Sequence, residues 1–259
     1  MKTILPLLII TISCGFFTSC HTGKLRITNY YGSLNEQTVF VETAVVAEAA
    51  KCINTDAKSE EDNEICDMLL KKLPDIHGRY VGTGTFIRHH DKMRVLTAEH
   101  VCYPDEVPPT VKKDNITIEV KATTRITVRS RNFESAATII KKDNKLDLCI
   151  LEIDDLSKPP KVKPAKISRK RPKRGAHVHY AGAPFGMMSD EFLLTFDGIY
   201  SGALMENMIF SLPCASGASG SSIRNKKNEI VSMVQKVHVD FHHVCYGVDT
   251  KKLRDFLLN

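Results

Sequence analysis

Three side chains of this sequence have the types that acyl transfer needs. His100 lies in Leu96-Thr-Ala-Glu-His100-Val101, Asp147 in Lys145-Leu-Asp-Leu-Cys-Ile-Leu-Glu-Ile153, and Ser219 in the small-residue run Cys214-Ala-Ser-Gly-Ala-Ser-Gly-Ser-Ser222. A serine hydroxyl is a poor nucleophile at neutral pH unless an imidazole takes its proton and a carboxylate orients that imidazole. The oxyanion of a tetrahedral intermediate must also be met by backbone N–H groups, which bulky side chains would obstruct. Gly217 and Gly220 flank Ser219 and leave that room. Any one piece read alone is an ordinary turn or strand end. The order of the three and their strand-like surroundings make the combined reading specific.

Those side chains must be positioned, and the sequence reads as strands with turns between them. Thr38-Val-Phe-Val-Glu-Thr-Ala-Val-Val46 is β-branched and apolar, and the next strand begins near Tyr80. Between them, Glu48 to Lys72 places Ala, Leu, Lys and Glu at helical spacing, which predicts a partly helical insertion in the first hairpin over about 48–78. Ile116-Thr-Ile-Glu-Val120, Thr124-Arg-Ile-Thr-Val-Arg129 and Ala136-Ala-Thr-Ile-Ile140 complete a first barrel. Ala176–Tyr180, Phe192–Phe196, Met208–Leu212, Glu229–Val234 and His242–Tyr246 supply a second, and Lys251–Leu258 reads as a short C-terminal helix. The expected organisation is a leader over 1–20, a first barrel over 37–157, a basic linker over 158–175, and a second barrel with the helix over 176–259. No PDZ-like extension follows that helix.

Composition narrows the setting. At 259 residues, with 42% apolar and 25% charged residues, the chain is large enough to bury a core. Met1-Lys-Thr-Ile-Leu-Pro-Leu-Leu-Ile-Ile-Thr-Ile is one basic residue and a short apolar run, the pattern of a secretory leader, so export is expected, to the cell envelope, the periplasm or the medium. Phe17-Thr-Ser-Cys20 resembles a bacterial lipobox, with Phe17 in place of the usual aliphatic residue, and makes Cys20 the candidate for lipid attachment. Six of the eight cysteines remain beyond the leader, an even number that favours disulfides in an exported chain. Cys52 and Cys66 flank an acidic stretch, and a bridge there would close a local loop. Cys102 and Cys149 read equally well as a pair or as two buried thiols.

Lys161 to Arg174 carries eight basic residues and no acidic one, and removing those eight charges from the net +6 leaves −2. The basic balance is therefore local. It reads as a solvated Pro-rich connector or as a contact for an anionic surface such as phospholipid, lipopolysaccharide or a wall polymer, with no specific nucleic acid implied. His177 and His179 share one strand face, but with His242 and His243 they read as strand histidines, and no metal is assigned.

These motifs resemble the trypsin-like serine peptidases, chymotrypsin-fold members of the PA clan, and more closely the bacterial branch of HtrA-type proteases and glutamyl endopeptidases. The likeness rests on Gly82-Thr-Gly-Thr-Phe86, the histidine and aspartate motifs, the nucleophile loop, and the Gly-x-Pro-x-Gly-like turn in Tyr180-Ala-Gly-Ala-Pro-Phe-Gly186, spanning roughly 37–258. The resemblance implies an all-β fold of two six-stranded antiparallel barrels. It implies an exported, monomeric endopeptidase acting on polypeptides without a cofactor. His100, Asp147 and Ser219 would be catalytic, with an oxyanion hole at the N–H groups of Gly217 and Ser219. It also implies a Cys214–Cys245 disulfide across the specificity pocket. Counting forward from Ser219 puts the substrate-pairing strand at Ser232-Met233-Val234 and the pocket base near Pro213. No charged reader stands at either place, so a small or medium apolar P1 side chain is expected, while His238, His242 and His243 keep an acidic P1 open. Departures from the family pattern fall at Ala218, Ser221 and Ser222. The competing reading from another class is a catalytically silent binding protein of the same fold at the cell surface.

Overall fold

Thirteen strands, a C-terminal helix and short helical turns at 34–37, Glu99–Cys102 and Pro184–Gly186 are the main elements of the described residues. The computed structural model describes residues 34–54, 68, 76–103, 110–113, 116–157, 160–189, 191–238 and 240–258. Strands β1 (Thr38–Asn54), β2 (Ile76–His89), β3 (Lys92–Thr97), β5 (Ile116–Ser130), β6 (Phe133–Asp143) and β7 (Leu148–Ile153) run in the order β1-β2-β3-β7-β6-β5 and close through a β1–β5 pairing. The short β4 (Thr110–Lys113) adds to β5. Strands β8 (His177–Gly182), β9 (Leu194–Leu204), β10 (Asn207–Ser211), β11 (Ser222–Arg224), β12 (Ile230–His238) and β13 (Phe241–Val248) close a second barrel in the order β10-β13-β12-β11-β8-β9. All pairings within the barrels are antiparallel.

Alternation along the strands supplies each barrel with its core. Val39, Phe86, Val95, Leu96, Ile150 and Leu151 are fully buried in the first, and Val178, Tyr180, Met208, Phe210 and Ile223 in the second. Each such side chain contributes on the order of 2 kcal/mol of transfer free energy. The first core continues into Ile230, Met233, Val248, Leu253 and Phe256, so β12 and helix α2 (Thr250–Leu258) close the seam between the barrels. Lys141 Nζ donates to Phe256 O at 2.6 Å and lies 4.7 Å from the Phe256 ring centroid, tying that helix to β6.

Two expectations change. Residues 48–54 are not helical: β1 runs on to Asn54, because beyond the end of its β2 pairing at Ala47 it keeps β5 as a partner, through a bulge between Ala49 and Lys51. Ile116–Val120 and Thr124–Arg129 merge into one 15-residue strand, since Lys121 to Thr123 keep their register opposite Val46 to Glu48. The basic segment, read as a connector, is hydrogen-bonded to both barrels. Ala165 N donates to Phe86 O, Ser168 N to Ile230 O and Ile230 N to Lys166 O, each at 2.8 Å. Gln37 Nε2 donates to Lys163 O at 2.6 Å, and Arg254 donates to Arg169 O at 2.7 Å.

Candidate active site

The one-turn helix α1 (Glu99–Cys102) follows β3 directly and carries His100. Val101 N and Cys102 N donate to Ala98 O, and Thr43 Oγ1 donates to Val101 O at 2.6 Å, so the turn is pinned from inside the first barrel. Thr97 pairs with Cys149, which brings the end of β3 beside the start of β7, where Asp147 stands. Asp147 has φ +48°, a left-handed conformation that Asp and Asn tolerate better than most residues. The Asp143 carboxylate sets up that approach by accepting the N–H groups of Lys145 and Leu146.

The consequence is a carboxylate gripping an imidazole. Asp147 Oδ1 accepts from the backbone N–H of His100 at 3.0 Å, and both carboxylate oxygens lie 2.9 Å from His100 Nδ1. This places the ring proton on Nδ1 and leaves Nε2 as the basic nitrogen. Two residues beyond each partner, Cys102 and Cys149 form a disulfide with Cα atoms 6.6 Å apart. Of the two readings left open by the sequence, the paired one holds.

The serine loop belongs to the second barrel but is held by the first. Thr83 of β2, fully buried, donates from its backbone N–H to Ser219 O at 2.8 Å and from its hydroxyl to Gly217 O at 2.9 Å. The same hydroxyl accepts from Ala183 N at 3.0 Å, and Thr83 O accepts from Thr97 Oγ1 at 2.8 Å. One threonine thus joins the nucleophile loop, the turn at Pro184–Gly186 and the strand leading to His100. Gly220, at φ +83°, passes so close to β2 that an added Cβ would stand 2.0 Å from Thr83 O. That contact explains the glycine after the serine.

Gly217, at φ +87°, presses against the Ala183–Gly186 turn, and Phe185 N donates to Ser216 O at 2.6 Å. In a trans peptide the carbonyl and the next N–H point in opposite directions. The bond from Phe185 therefore turns the Gly217 N–H away from that turn. Among the described residues, neither Gly217 N–H nor Ser219 N–H donates to an acceptor. Ser219 is half-buried, and its hydroxyl makes no hydrogen bond with a described residue.

Two of the three departures in this loop have a physical reason. Ala218 is fully buried and packs in the second core, where a polar side chain would need a partner. Ser222 Oγ accepts from Thr85 Oγ1 and from Arg224 Nε, both at 2.9 Å, linking β2 to a buried guanidinium. Nothing in the structure explains the hydroxyl of Ser221, which is buried without a partner among the described residues. Cys214 and Cys245 are bonded, with Cα atoms 5.9 Å apart. Cys214 N donates to His242 O at 2.8 Å, and Tyr180 OH donates to Pro213 O at 2.9 Å, so Pro213 sits at the anchored start of the loop.

Ser232, Met233 and Val234 do not offer an accessible strand. Ser232 Oγ donates to Val248 O, and Met233 packs into the first core. Val234 uses both backbone groups on the nucleophile loop, donating to Ser221 O and accepting from Gly220 N. Beyond Val234, β12 keeps β13 on one edge, and its other edge has passed the end of β11, whose last partner on that side is Met233. Gln235 there donates from Nε2 to Leu146 O, reaching the loop of the acid. Thr83 and Gln235 are the site residues the sequence reading missed. Thr83 stands inside the Gly82-Thr-Gly-Thr-Phe86 motif, which was the available signal, and nothing local marks Gln235.

His238, His242 and His243 are exposed. Among the described residues no three His, Cys, Asp or Glu side chains converge as metal ligands. Cys20 and Cys66 lie outside the described residues, as does the side chain of Cys52, so the expected lipidation and Cys52–Cys66 bridge do too.

The Asp147-held imidazole lies on the first barrel and the glycine-flanked Ser219 on the second, within a double barrel of the chymotrypsin-like class. A family model described as a trypsin-like peptidase domain matches residues 82–233, more than half of the chain, and the chain belongs to that family. Among solved structures it is similar to the protease Rv3671c of M. tuberculosis. In the inactive form of a serine-to-alanine mutant the identity is 14% and the TM-score 0.58, with 88% of each chain covered. In the active form the identity is 16% and the TM-score 0.58, covering 88% of this chain and 82% of that one. A serine endoprotease from Yersinia pestis is 16% identical with a TM-score of 0.57, covering 88% of this chain and 64% of that one. At such identities the likeness is one of fold. No curated protein matches by sequence.

Proposed function

We propose that the chain is an exported serine endopeptidase in which His100, Asp147 and Ser219 form the catalytic triad. The observation that carries this reading is the Asp147 carboxylate holding His100 through both Nδ1 and the backbone N–H, which leaves Nε2 as the base. Ser219 Oγ attacks the scissile carbonyl and passes its proton to His100 Nε2. The imidazolium, stabilised by Asp147, returns that proton to the leaving amine, and water repeats the sequence on the acyl-enzyme. The N–H groups of Gly217 and Ser219 stabilise the oxyanion, each on the order of 3 kcal/mol. The hydroxyl and the imidazole come into hydrogen-bond reach with substrate bound, as catalytic hydrogen bonds commonly tighten in the Michaelis complex.

A polypeptide pairs its backbone with the open edge of β12 at Gln235 to Val237, and a small or medium apolar side chain occupies S1 beside Pro213 and the Cys214–Cys245 bridge. Two disulfides suit an oxidising compartment. Export through the leader, a lipid anchor at Cys20, a monomeric state and contact of the Lys161–Arg174 run with an anionic partner complete the reading. Labelling with a fluorophosphonate probe tests its centre. Wild-type chain takes the label and Ser219→Ala does not. Equal labelling of the two, or none of the folded wild type, overturns it in favour of a silent binding protein.

A further inference from the structure

The run of positive charge read from the sequence acquires a shape in the fold. An open groove of about 1250 Å³ is lined by Arg88 of β2, by Lys166, Arg169 and Lys170 of the strap between the barrels, and by Lys226 and Lys227 of the β11–β12 turn. All six are exposed, and none makes an ion pair among the described residues. Arg171 also lines the groove but is engaged with Asp249, and His177 faces Asp197 at 3.2 Å. The one carboxylate in the lining, Glu229, accepts from Asn225 Nδ2 at 2.9 Å.

Two of these elements come from sequence far from the basic run, so the charge is gathered by the fold. It is also held in place. The strap is bonded to β2 at Phe86 and to β12 at Ile230, and the β11–β12 turn is fixed by Asn225, whose Oδ1 accepts from Lys227 N and Glu229 N. Like charges on fixed backbones repel one another, and an anionic ligand relieves that repulsion on binding. The groove is remote from the triad. On β2 the catalytic contact is at Thr83 and the groove residue at Arg88, five residues or about 16 Å along the strand. On β12 the contact with the nucleophile loop is at Val234 and the groove residue at Val231, three residues or about 10 Å along the strand.

We infer that this groove binds a chain polymer bearing phosphate or sulfate groups. At about 1250 Å³ the groove is larger than a small ligand needs, and its lining is drawn from three separate stretches of chain, which suits an extended polymer. Its Arg and Lys mixture offers guanidinium forks and point charges to oxyanions with several acceptor oxygens. A membrane surface fits less well, because a bilayer is met by a protruding face, and none of the exposed large apolar side chains lines this groove. The inference does not depend on the peptidase reading, and its test needs no turnover.

The test uses the full-length Ser219→Ala chain and fluorescence anisotropy with labelled inorganic polyphosphate and labelled heparin across a salt series. At least one probe binds, and the tighter of the two identifies phosphate or sulfate as the natural group. Lys226→Gln/Lys227→Gln weakens that binding tenfold or more and lowers the slope of log K against log salt by about two, one for each lost contact. Lys121→Gln/Arg125→Gln, which removes the same charge from β5, leaves affinity within twofold. The inference is overturned by equal losses in the two variants, by polyglutamate binding as tightly as either probe, or by binding confined to phosphatidylglycerol vesicles.

Discussion

Replacing Thr83 by valine keeps the shape of the side chain and removes its hydroxyl. Two groups lose their partner: Gly217 O, which accepts that hydroxyl at 2.9 Å, and Ala183 N, which donates to it at 3.0 Å. The site is fully buried, so water does not replace what is lost without rearrangement. At about 1–3 kcal/mol for each orphaned group, the variant loses roughly 2–6 kcal/mol of stability if nothing relaxes. Its Tm then falls by roughly 4–24 °C for a domain of this size. The backbone bond from Thr83 N to Ser219 O survives, so the loop stays attached, while the Gly217–Ala218 peptide and the Ala183–Gly186 turn, whose Phe185 N–H orients the Gly217 N–H through Ser216 O, lose their anchor. Loss of one oxyanion donor costs about 10²–10³ in kcat, and the fluorophosphonate labelling rate should fall by about a hundredfold. KM changes little, because the open edge of β12 is untouched. Thr83→Ser restores both the labelling rate and most of the Tm. A valine variant that labels within twofold of wild type and melts within about a degree of it would refute the clasp argument.

Asp147→Asn keeps the left-handed backbone, since Asn tolerates φ +48° as Asp does, but it no longer holds the proton on His100 Nδ1. Its kcat should drop by about 10⁴ with Tm nearly unchanged, as read by peptide hydrolysis and calorimetry, and a loss below tenfold argues against Asp147 as the orienting acid. Cys102→Ala/Cys149→Ala opens a loop of 47 residues, worth about 4 kcal/mol on chain entropy. Urea midpoints should show that loss, whereas kcat measured well below the new Tm should stay within a few-fold, because the hydrogen bonds of Asp147 to His100 remain. Burial pushes the His179 imidazole down to about 4 from 6.5. The unfolded chain takes up a proton near pH 6.5 that the folded chain refuses until about pH 4, so this contribution is complete above 6.5 and is lost as pH falls through that window. Between pH 7 and 4.5 the loss is on the order of 2–3 kcal/mol, and His179→Gln should flatten that limb of the stability profile; identical profiles for both proteins would count against it.

The parts of the site legible in the sequence are those set by short stretches. His100, Asp147 and Ser219 each sit within a few residues of a recognisable strand end or glycine pair, and the strands announce themselves by β-branched alternation. What the sequence left open depends on pairing between distant strands. The Cys102–Cys149 bond follows from Thr97 lying opposite Cys149. The breadth of the clasp at Thr83 needs both barrels in place. Val234 commits both backbone groups to the nucleophile loop, so the free edge of β12 begins only at Gln235, which no count along one strand can register. The basic segment looked like a connector because its prolines and charges carry no strand pattern. Its order comes instead from backbone bonds to Phe86 and Ile230.

The bond between Cys102 and Cys149 has a meaning for the history of each molecule. His100 and Asp147 stand 47 residues apart in the chain, yet after oxidation a covalent bond joins their neighbours, with Asp147 inside the closed ring and His100 two residues outside it. A newly made, reduced chain has to find their alignment by folding alone and can lose it by local opening. An oxidised chain carries it as part of its bonding. Oxidation thus leaves a chemical record beside the His100–Asp147 pair, written in the covalent structure itself.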